Sequence, residues 1–85
     1  MKGLKIVTYR IPINVPANKN SNCGWVAMLN DKEIGWVTMS FLSNNEILFE
    51  NAYVDEKHRR KGVYTKLWDA RWKFVNKNYK GYNIR

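Results

Sequence analysis

The chain has 85 residues, of which 45% are hydrophobic and four are tryptophan. This composition suffices for one small domain with one core, and it is too hydrophobic for a chain that stays disordered. No apolar run approaches the roughly 18 residues of a membrane-spanning helix, so we expect no membrane span. The N-terminal stretch lacks the features of a signal peptide. The lone Cys23 and the lone His58 form neither a disulfide nor a zinc site, and we expect a cytoplasmic protein.

Positive charge is concentrated toward the C-terminus. Residues 1–54 hold five Lys or Arg against four Asp or Glu, whereas residues 55–85 hold ten against three. A surface of this kind attracts a polyanion, which is nucleic acid, a phosphorylated cofactor or an acidic protein. The alternative is a basic, soluble surface with no dedicated partner.

The first two thirds of the chain are typical of β-structure. Runs of β-branched and aromatic residues alternate with stretches rich in Asn, Pro, Ser and Gly, which favour turns. The predicted strands cover residues 4–13, 25–29, 34–41 and 46–54, with a loop over 14–24 and turns over 30–33 and 42–45.

One helix follows, from about Gly62 to Asn76. Its apolar residues recur with the period of an α-helix and predict one buried stripe. Residues 81–85 are long enough for a last short strand. We therefore predict a single α+β domain over residues 1–85, a small antiparallel β-meander with one amphipathic helix packed on the sheet, in the order β-β-β-β-α-β. The predicted stripe consists of Val63, Leu67, Ala70 and Phe74.

The segment YVDEKHRRKGVYTKL, residues 53–67, joins the fourth strand to this helix. The first amides of a helix have no intrahelical partner, and the helix dipole adds positive charge there. A phosphate can bind at such a point through the backbone, and a glycine such as Gly62 allows close approach. A basic loop that ends in a glycine, with no ligand, is the alternative.

The same segment resembles motif A of the GNAT N-acetyltransferases, whose pattern is Arg/Gln-x-x-Gly-x-Gly/Ala. Arg59 stands at its first position, Gly62 at its glycine and Tyr64 at its last position. The upstream segment AMLNDKEIGWVTMSF is similar to the hairpin of that family, and the resemblance covers about residues 24–76.

The resemblance implies that acetyl-CoA is the cofactor. Backbone groups at the end of the fourth strand would bind the pantetheine arm and the thioester carbonyl, and amides of the loop would hold the pyrophosphate. Carried over position by position, the strand contacts are Ala52, Tyr53 and Val54, and the loop contacts are Arg59, Arg60, Lys61, Gly62, Val63, Tyr64 and Thr65.

The sequence also departs from the family. Tyr64 replaces a small residue, and Arg60 replaces a frequent glycine. Residues 11–24 are too short for the two helices that normally follow the first strand, and the later elements of the family are missing. We therefore expect a truncated GNAT-like core that keeps the cofactor half of the fold.

The reaction of the family, attack of an amine on the acetyl thioester, needs a base. Glu50 and Glu46 share one face of the predicted fourth strand, and Glu50 is the candidate base because it is nearer the thioester. A solvent-facing carboxylate without a catalytic role is the alternative for Glu50. His58 is interpreted as a loop residue or as a donor at the edge of the phosphate. Tyr53, Tyr79 and Tyr82 are candidate acids without support from their positions.

The helix also carries features typical of binding. Trp68 and Trp72 are costly to leave exposed, so a partner protein, a homodimer or the terminal segment covers them. The three lysines on another flank, Lys66, Lys73 and Lys77, favour weak, non-specific nucleic-acid binding or form a solvated helix face.

Three functions therefore compete. The first is an acetyl-CoA- or CoA-binding protein that acetylates an amine of a macromolecule or small molecule. The second is a catalytically inactive GNAT-like protein that engages a host protein or nucleic acid through the basic, tryptophan-bearing helix. The third is a nucleic-acid-binding module that uses residues 57–61 and the helix, although the sequence contains none of the common nucleic-acid motifs.

Overall fold

A computed structural model describes residues 2–9, 22–42 and 45–85. In this part of the chain, five strands form one sheet in the order β1-β2-β3-β4-β5, and one α-helix packs on it. The elements in chain order are β1 (Leu4–Tyr9), β2 (Asn22–Leu29), β3 (Lys32–Leu42), β4 (Glu46–Val54), a short 3-10 helix (Glu56–His58), α1 (Val63–Asn78) and β5 (Asn83–Ile84).

The first four strands form an antiparallel meander, as the sequence predicts. The β2–β3 turn is tighter than the predicted 30–33, because Asn30 and Asp31 both adopt left-handed conformations, with φ of 50° and 68°. Consecutive positive φ angles match the twist of a two-residue hairpin. The predicted loop over 14–24 is wrong at its end. Residues 22–24 are in β2, where pairing with β1 and β3 overrides their turn propensity.

The last strand, β5, lies parallel to β4, and α1 forms the crossover between them. The register pairs Glu46 with Asn83 and Ile47 with Ile84. The predicted α+β fold and its order of elements are thereby confirmed. Residues 10–13 of the predicted first strand, and residues 14–21 of the predicted loop, lie outside the described residues.

The helix α1 begins after Gly62, at which the backbone is left-handed, and extends two residues beyond the predicted end at Asn76. The predicted stripe faces the core, and Arg71 is buried in line with Val63 and Leu67 in addition. Ala70 and Phe74 are only half-buried. In the described ranges of the chain, no helix has the length and apolar character needed to cross a membrane.

The core lies between α1 and one face of the sheet. Trp25 of β2 meets Phe74 of α1 edge-on, with ring centroids 5.5 Å apart. Phe41 of β3 packs in the same way on Tyr79, at 4.8 Å. Burial raises the pKa of the Tyr79 phenol, and Tyr82 adds to this effect. Cys23 is buried in the same core with 1% of its surface exposed.

Candidate functional site

The edge of β4 that faces away from β3 is only half covered by β5. The described backbone hydrogen bonds between the two strands run from Asn45 to Phe49, whose N–H donates to the Arg85 carbonyl over 3.0 Å. The Asp55 N–H donates to the Ile34 carbonyl of β3. Because the backbone groups of successive strand residues point to opposite sides, the N–H and carbonyl groups of Val54 and Ala52 point away from β3. The second half of β4 therefore presents backbone groups at an open edge.

A β-bulge interrupts the pairing of β3 with β4 at this point. Val37 pairs with Ala52, but Met39 pairs with Phe49, so Thr38 stands opposite both Glu50 and Asn51. The Asn51 N–H donates to the Thr38 hydroxyl over 3.1 Å instead of to a ladder carbonyl. Because a bulge bends a strand and increases its twist, it redirects the end of β4.

The loop from β4 to α1 contains two left-handed residues, Arg60 with φ of 63° and Gly62 with φ of 82°. A Cβ atom at Gly62 would meet no atom within 4 Å, so the space in front of this backbone is open. Neither an acidic residue in the first turn of α1 nor a side-chain cap competes for the first amides of the helix. These amides and the dipole make the opening attractive to an anion.

Arg59 connects the loop to the end of β4. Its Nε donates to the Val54 carbonyl over 2.8 Å, and its guanidinium lies 5.8 Å from the centre of the Tyr53 ring. One of the outward-facing groups of β4 is thus occupied by this side chain. The positive charge of Arg59 is held between the strand end and the start of the helix.

These parts line an open cavity of about 510 Å³. Of the residues predicted to bind the cofactor, all except Lys61 line it, and His58 lines it in addition. His58 Nε2 lies 3.9 Å from an oxygen of Asp55, and its Nδ1 is buried without a hydrogen-bond partner among the described residues. The lining residues are Ala52, Tyr53, Val54, His58, Arg59, Arg60, Gly62, Val63, Tyr64 and Thr65.

The cavity fits one end of a phosphorylated cofactor. The open backbone at Gly62 and the unpartnered helix amides are suited to a diphosphate, and His58 Nδ1 is a polar atom that still lacks a partner among the described residues. The outward backbone groups of β4 are suited to an amide-containing chain laid along the strand edge. The donor set therefore agrees with a ligand that has a diphosphate at one end and peptide-like amides at the other.

Arg71 is the residue of this region that the sequence analysis missed. It is 3% exposed, its Nη1 donates to the Thr38 carbonyl over 2.9 Å, and its guanidinium lies 4.0 Å from the centre of the Phe49 ring. Burial lowers the pKa of Arg71, an effect that the neighbouring Tyr64 hydroxyl partly offsets. Arg71 therefore joins the bulge of β4 to Tyr64 on the cavity wall. In the sequence, the burial of Arg71 is indicated only by its position one helical turn after Leu67.

Glu50, the predicted base, lies in the bulge but not in the lining of the cavity. The Ser40 hydroxyl donates to its carboxylate over 2.5 Å. Glu46, on the same strand, lies 3.7 Å from Arg85. The two carboxylates thus have different environments on one strand, and Glu50 is four residues closer than Glu46 to the lining residue Ala52 along β4.

The predicted partner residues occupy two flanks of α1. Trp68 and Trp72 are 37% and 39% exposed, and their rings stack with centroids 5.7 Å apart. Trp68 also contacts Phe49 of β4 edge-on at 6.5 Å. By helical periodicity, the exposed lysines lie more than a quarter turn away, across the outer face of the helix. These lysines are Lys66, Lys73 and Lys77.

Comparison with protein families identifies the family of this chain. The sequence model of the Acetyltransferase (GNAT) family matches residues 6–82, which is nearly the whole chain. The chain belongs to the GNAT family. The resemblance that the sequence analysis based on residues 24–76 is thereby confirmed and extends over β1, β2 and the end of α1.

One solved structure is similar to this GNAT chain. It is the crystal structure of a protein from Bacillus anthracis, described as a candidate streptothricin acetyltransferase, in complex with acetyl coenzyme A. The two share 27% sequence identity with a TM-score of 0.60, over 71% of this chain and 35% of the other. This chain thus corresponds to about a third of the length of that protein. Among the curated proteins, none is similar enough to count as a relative.

Proposed function

We propose that the protein binds acetyl-CoA in the cavity between β4 and α1 and transfers the acetyl group to an amine. The observation that carries the proposal is the left-handed, unobstructed Gly62 at the start of α1, in a chain of the GNAT family. Support also comes from the acetyl coenzyme A bound to the similar solved structure. The acceptor is an amine of a macromolecule or a small molecule.

The diphosphate would bind at the start of α1. The amides of Val63, Tyr64 and Thr65 lie in the first turn, where intrahelical acceptors are absent. Arg59 and Arg60 line the same cavity and add positive charge. Tyr64 stands where the family pattern has a small residue, but the backbone amide is retained, and its ring forms the cavity wall beside Arg71.

The pantetheine arm would lie along the open edge of β4. Ala52 and Val54 turn backbone groups toward that edge, and the bulge at Glu50 sets their direction. When bound, the cofactor supplies an activated acetyl group as a thioester. The chain itself holds that group at the strand end and screens one side of it with Tyr53 and Val54.

Glu50 is the base in this proposal. It would accept the proton that the acceptor amine loses, directly or through one water molecule. The hydrogen bond from Ser40 fixes the orientation of the carboxylate and leaves its second oxygen for the proton. No residue of this chain is assigned as the acid that protonates the leaving thiolate.

The test is calorimetric titration with acetyl-CoA and CoA at moderate salt. Gly62→Glu should abolish binding while the fold is retained, because the new side chain fills the open space and repels phosphate. Gly81→Glu is the matched control, since Gly81 is also left-handed and a Cβ atom there would also meet no atom within 4 Å. Equal affinity in wild type and Gly62→Glu would refute the assignment.

A second candidate function is a catalytically inactive protein that acts by binding a partner through α1. The stacked, partly exposed Trp68 and Trp72 favour it. We take the partner to be a second copy, because symmetric dimers are the commonest assemblies and a flat stacked pair can contact its own symmetry mate. Sedimentation across protein concentration should then reveal a dimer that Trp72→Ala removes. A wild-type protein that stays monomeric at every concentration would exclude this candidate.

Nucleic acid is a weaker partner in this proposal. The tryptophans and the lysines of α1 lie on different flanks, so the flank that could stack bases is not the flank that would contact phosphates. Binding would be non-specific and electrostatic. A cytoplasmic location remains a prediction.

A further inference from the structure

A second cavity, of about 610 Å³, lies on the face of the sheet opposite α1. Val37 and Met39 of β3 are buried in the core beneath α1, and strand alternation turns Trp36 to the other face. We call this second cavity the apolar groove. It is lined by Val7, Val26, Met28, Glu33 and Trp36.

A row of side chains connects the apolar groove to the first cavity. Val7 pairs with Val26, Val26 with Trp36, and Trp36 with Tyr53, so the row crosses four strands. Trp36 and Tyr53 stack with ring centroids 4.6 Å apart. Tyr53 also lines the cavity at the end of β4. Because neighbouring strands are about 4.8 Å apart, a ligand over Trp36 is one strand away from the open edge of β4.

The chemistry of the apolar groove differs from that of the first cavity. Its floor is aliphatic and aromatic, and Val7 is 47% exposed. Glu33 is its one charged lining residue among those described, in a chain with a formal net charge of +8. An apolar floor with one carboxylate accepts a ligand that has an apolar body and a positive charge, and it disfavours a phosphorylated ligand.

We propose that the apolar groove is the acceptor site, and that the acceptor is a primary amine carried on an apolar, planar body. This inference rests on the proposed acetyl transfer and names its substrate class. The planar body of the acceptor stacks on Trp36, and Glu33 attracts its ammonium form from solution. Tyr53 lies between the apolar groove and the thioester end of the first cavity. The ammonium would lose one proton to solvent, and the neutral nitrogen would form a C–N bond with the acetyl carbon as the C–S bond breaks. CoA would leave as the thiolate and take a proton from solvent, and the second amine proton would pass to Glu50.

Benzylamine, benzyl alcohol and methylamine form a matched set of probes. Benzylamine has both parts of the proposed acceptor, benzyl alcohol lacks the amine, and methylamine lacks the planar body. Each is titrated into the full chain without acetyl-CoA, and backbone amide shifts are followed by NMR. We expect benzylamine to shift the amides of Val26, Met28 and Trp36, and the other two probes to bind at least about tenfold more weakly, since each lacks one contact.

Two variants separate the contacts. Trp36→Leu should weaken benzylamine about tenfold, since an aromatic stacking surface is lost while the apolar volume is largely kept. Glu33→Gln should lower the affinity for benzylamine to the affinity that the wild-type protein has for benzyl alcohol. The Gly62→Glu variant, in which acetyl-CoA cannot bind, should still bind benzylamine at the same shifted amides, so the groove is measured independently of the cofactor.

Three results would overturn the inference. The first is acetyl-CoA binding by wild type with no benzylamine shifts in the apolar groove, which leaves the proposed function intact. The second is equal binding of all three probes. The third is a set of groove shifts that depend on protein concentration and vanish in Val26→Lys, which would make the groove an interface between copies.

Discussion

Arg59 donates a hydrogen bond from Nε to the Val54 carbonyl, across the loop that joins β4 to α1. The residue at the first position of the family motif therefore has a structural contact as well as a charge. Since one guanidinium edge is used in this way, the Nη atoms remain for an anion in the cavity. The bond also holds the first part of the loop against the end of β4.

Arg59→Ala should weaken acetyl-CoA binding about 10- to 100-fold, which is the range for one lost hydrogen bond to a charged group. The remaining affinity should depend less on salt, because one phosphate contact is lost. Lys57→Ala is the control, as it removes the same charge from an exposed residue outside the cavity lining. Calorimetry at two salt concentrations measures both effects. Equal losses in the two variants would mean that Arg59 acts only through overall charge.

Glu50→Gln should lower the rate of acetyl transfer at least about 100-fold, the usual contribution of a general base, and leave acetyl-CoA affinity unchanged. The amide still accepts a hydrogen bond from Ser40, so the bulge should keep its shape. Glu46→Gln makes the same change on the same strand, at a carboxylate that contacts Arg85 instead. If both variants keep the wild-type rate, Glu50 is a surface carboxylate.

Arg71→Ala should lower the free energy of unfolding by about 2 kcal/mol, because a buried cation–π contact and a hydrogen bond to the Thr38 carbonyl are lost together. Arg71→Met should lower the free energy of unfolding less than Arg71→Ala does, since it keeps apolar volume and removes a buried charge. Urea unfolding measures both values. Lys73→Ala, at an exposed position of the same helix, should stay within about 0.5 kcal/mol of wild type. An Arg71→Ala variant with the wild-type free energy of unfolding would show that the buried guanidinium contributes nothing to stability.

Replacing Lys66, Lys73 and Lys77 together by Gln should weaken binding to single-stranded nucleic acid. The slope of log affinity against log salt should fall by about 0.7 for each lysine that contacts a phosphate. Trp72→Ala, on the other flank of α1, should leave this slope unchanged. Fluorescence anisotropy of labelled strands at several salt concentrations tests this. Tight, sequence-specific binding at physiological salt would contradict it.

The sequence predicted those parts of the molecule that depend on local signals. The bounds of β4 at Glu46 and Val54 follow from its apolar run, and the start of α1 follows from Gly62. The bulge opposite Thr38 was not predictable, because it depends on the register of two strands. Arg71 was not predictable for a similar reason, because its burial depends on Phe49 of β4 and the Thr38 carbonyl of β3, which are distant from it in sequence.

The burial of Cys23 makes the rate of thiol labelling a measure of how often the fold opens. The chain has one cysteine, so any thiol-labelling signal comes from that site alone. With 1% of its surface exposed beneath α1, the thiol should react with an aromatic disulfide reagent only when the helix leaves the sheet. A ligand that binds only the folded chain makes that opening rarer, so the labelling rate should fall as acetyl-CoA is added. Binding can then be followed at micromolar protein, in competition with other nucleotides, without a substrate or a turnover assay.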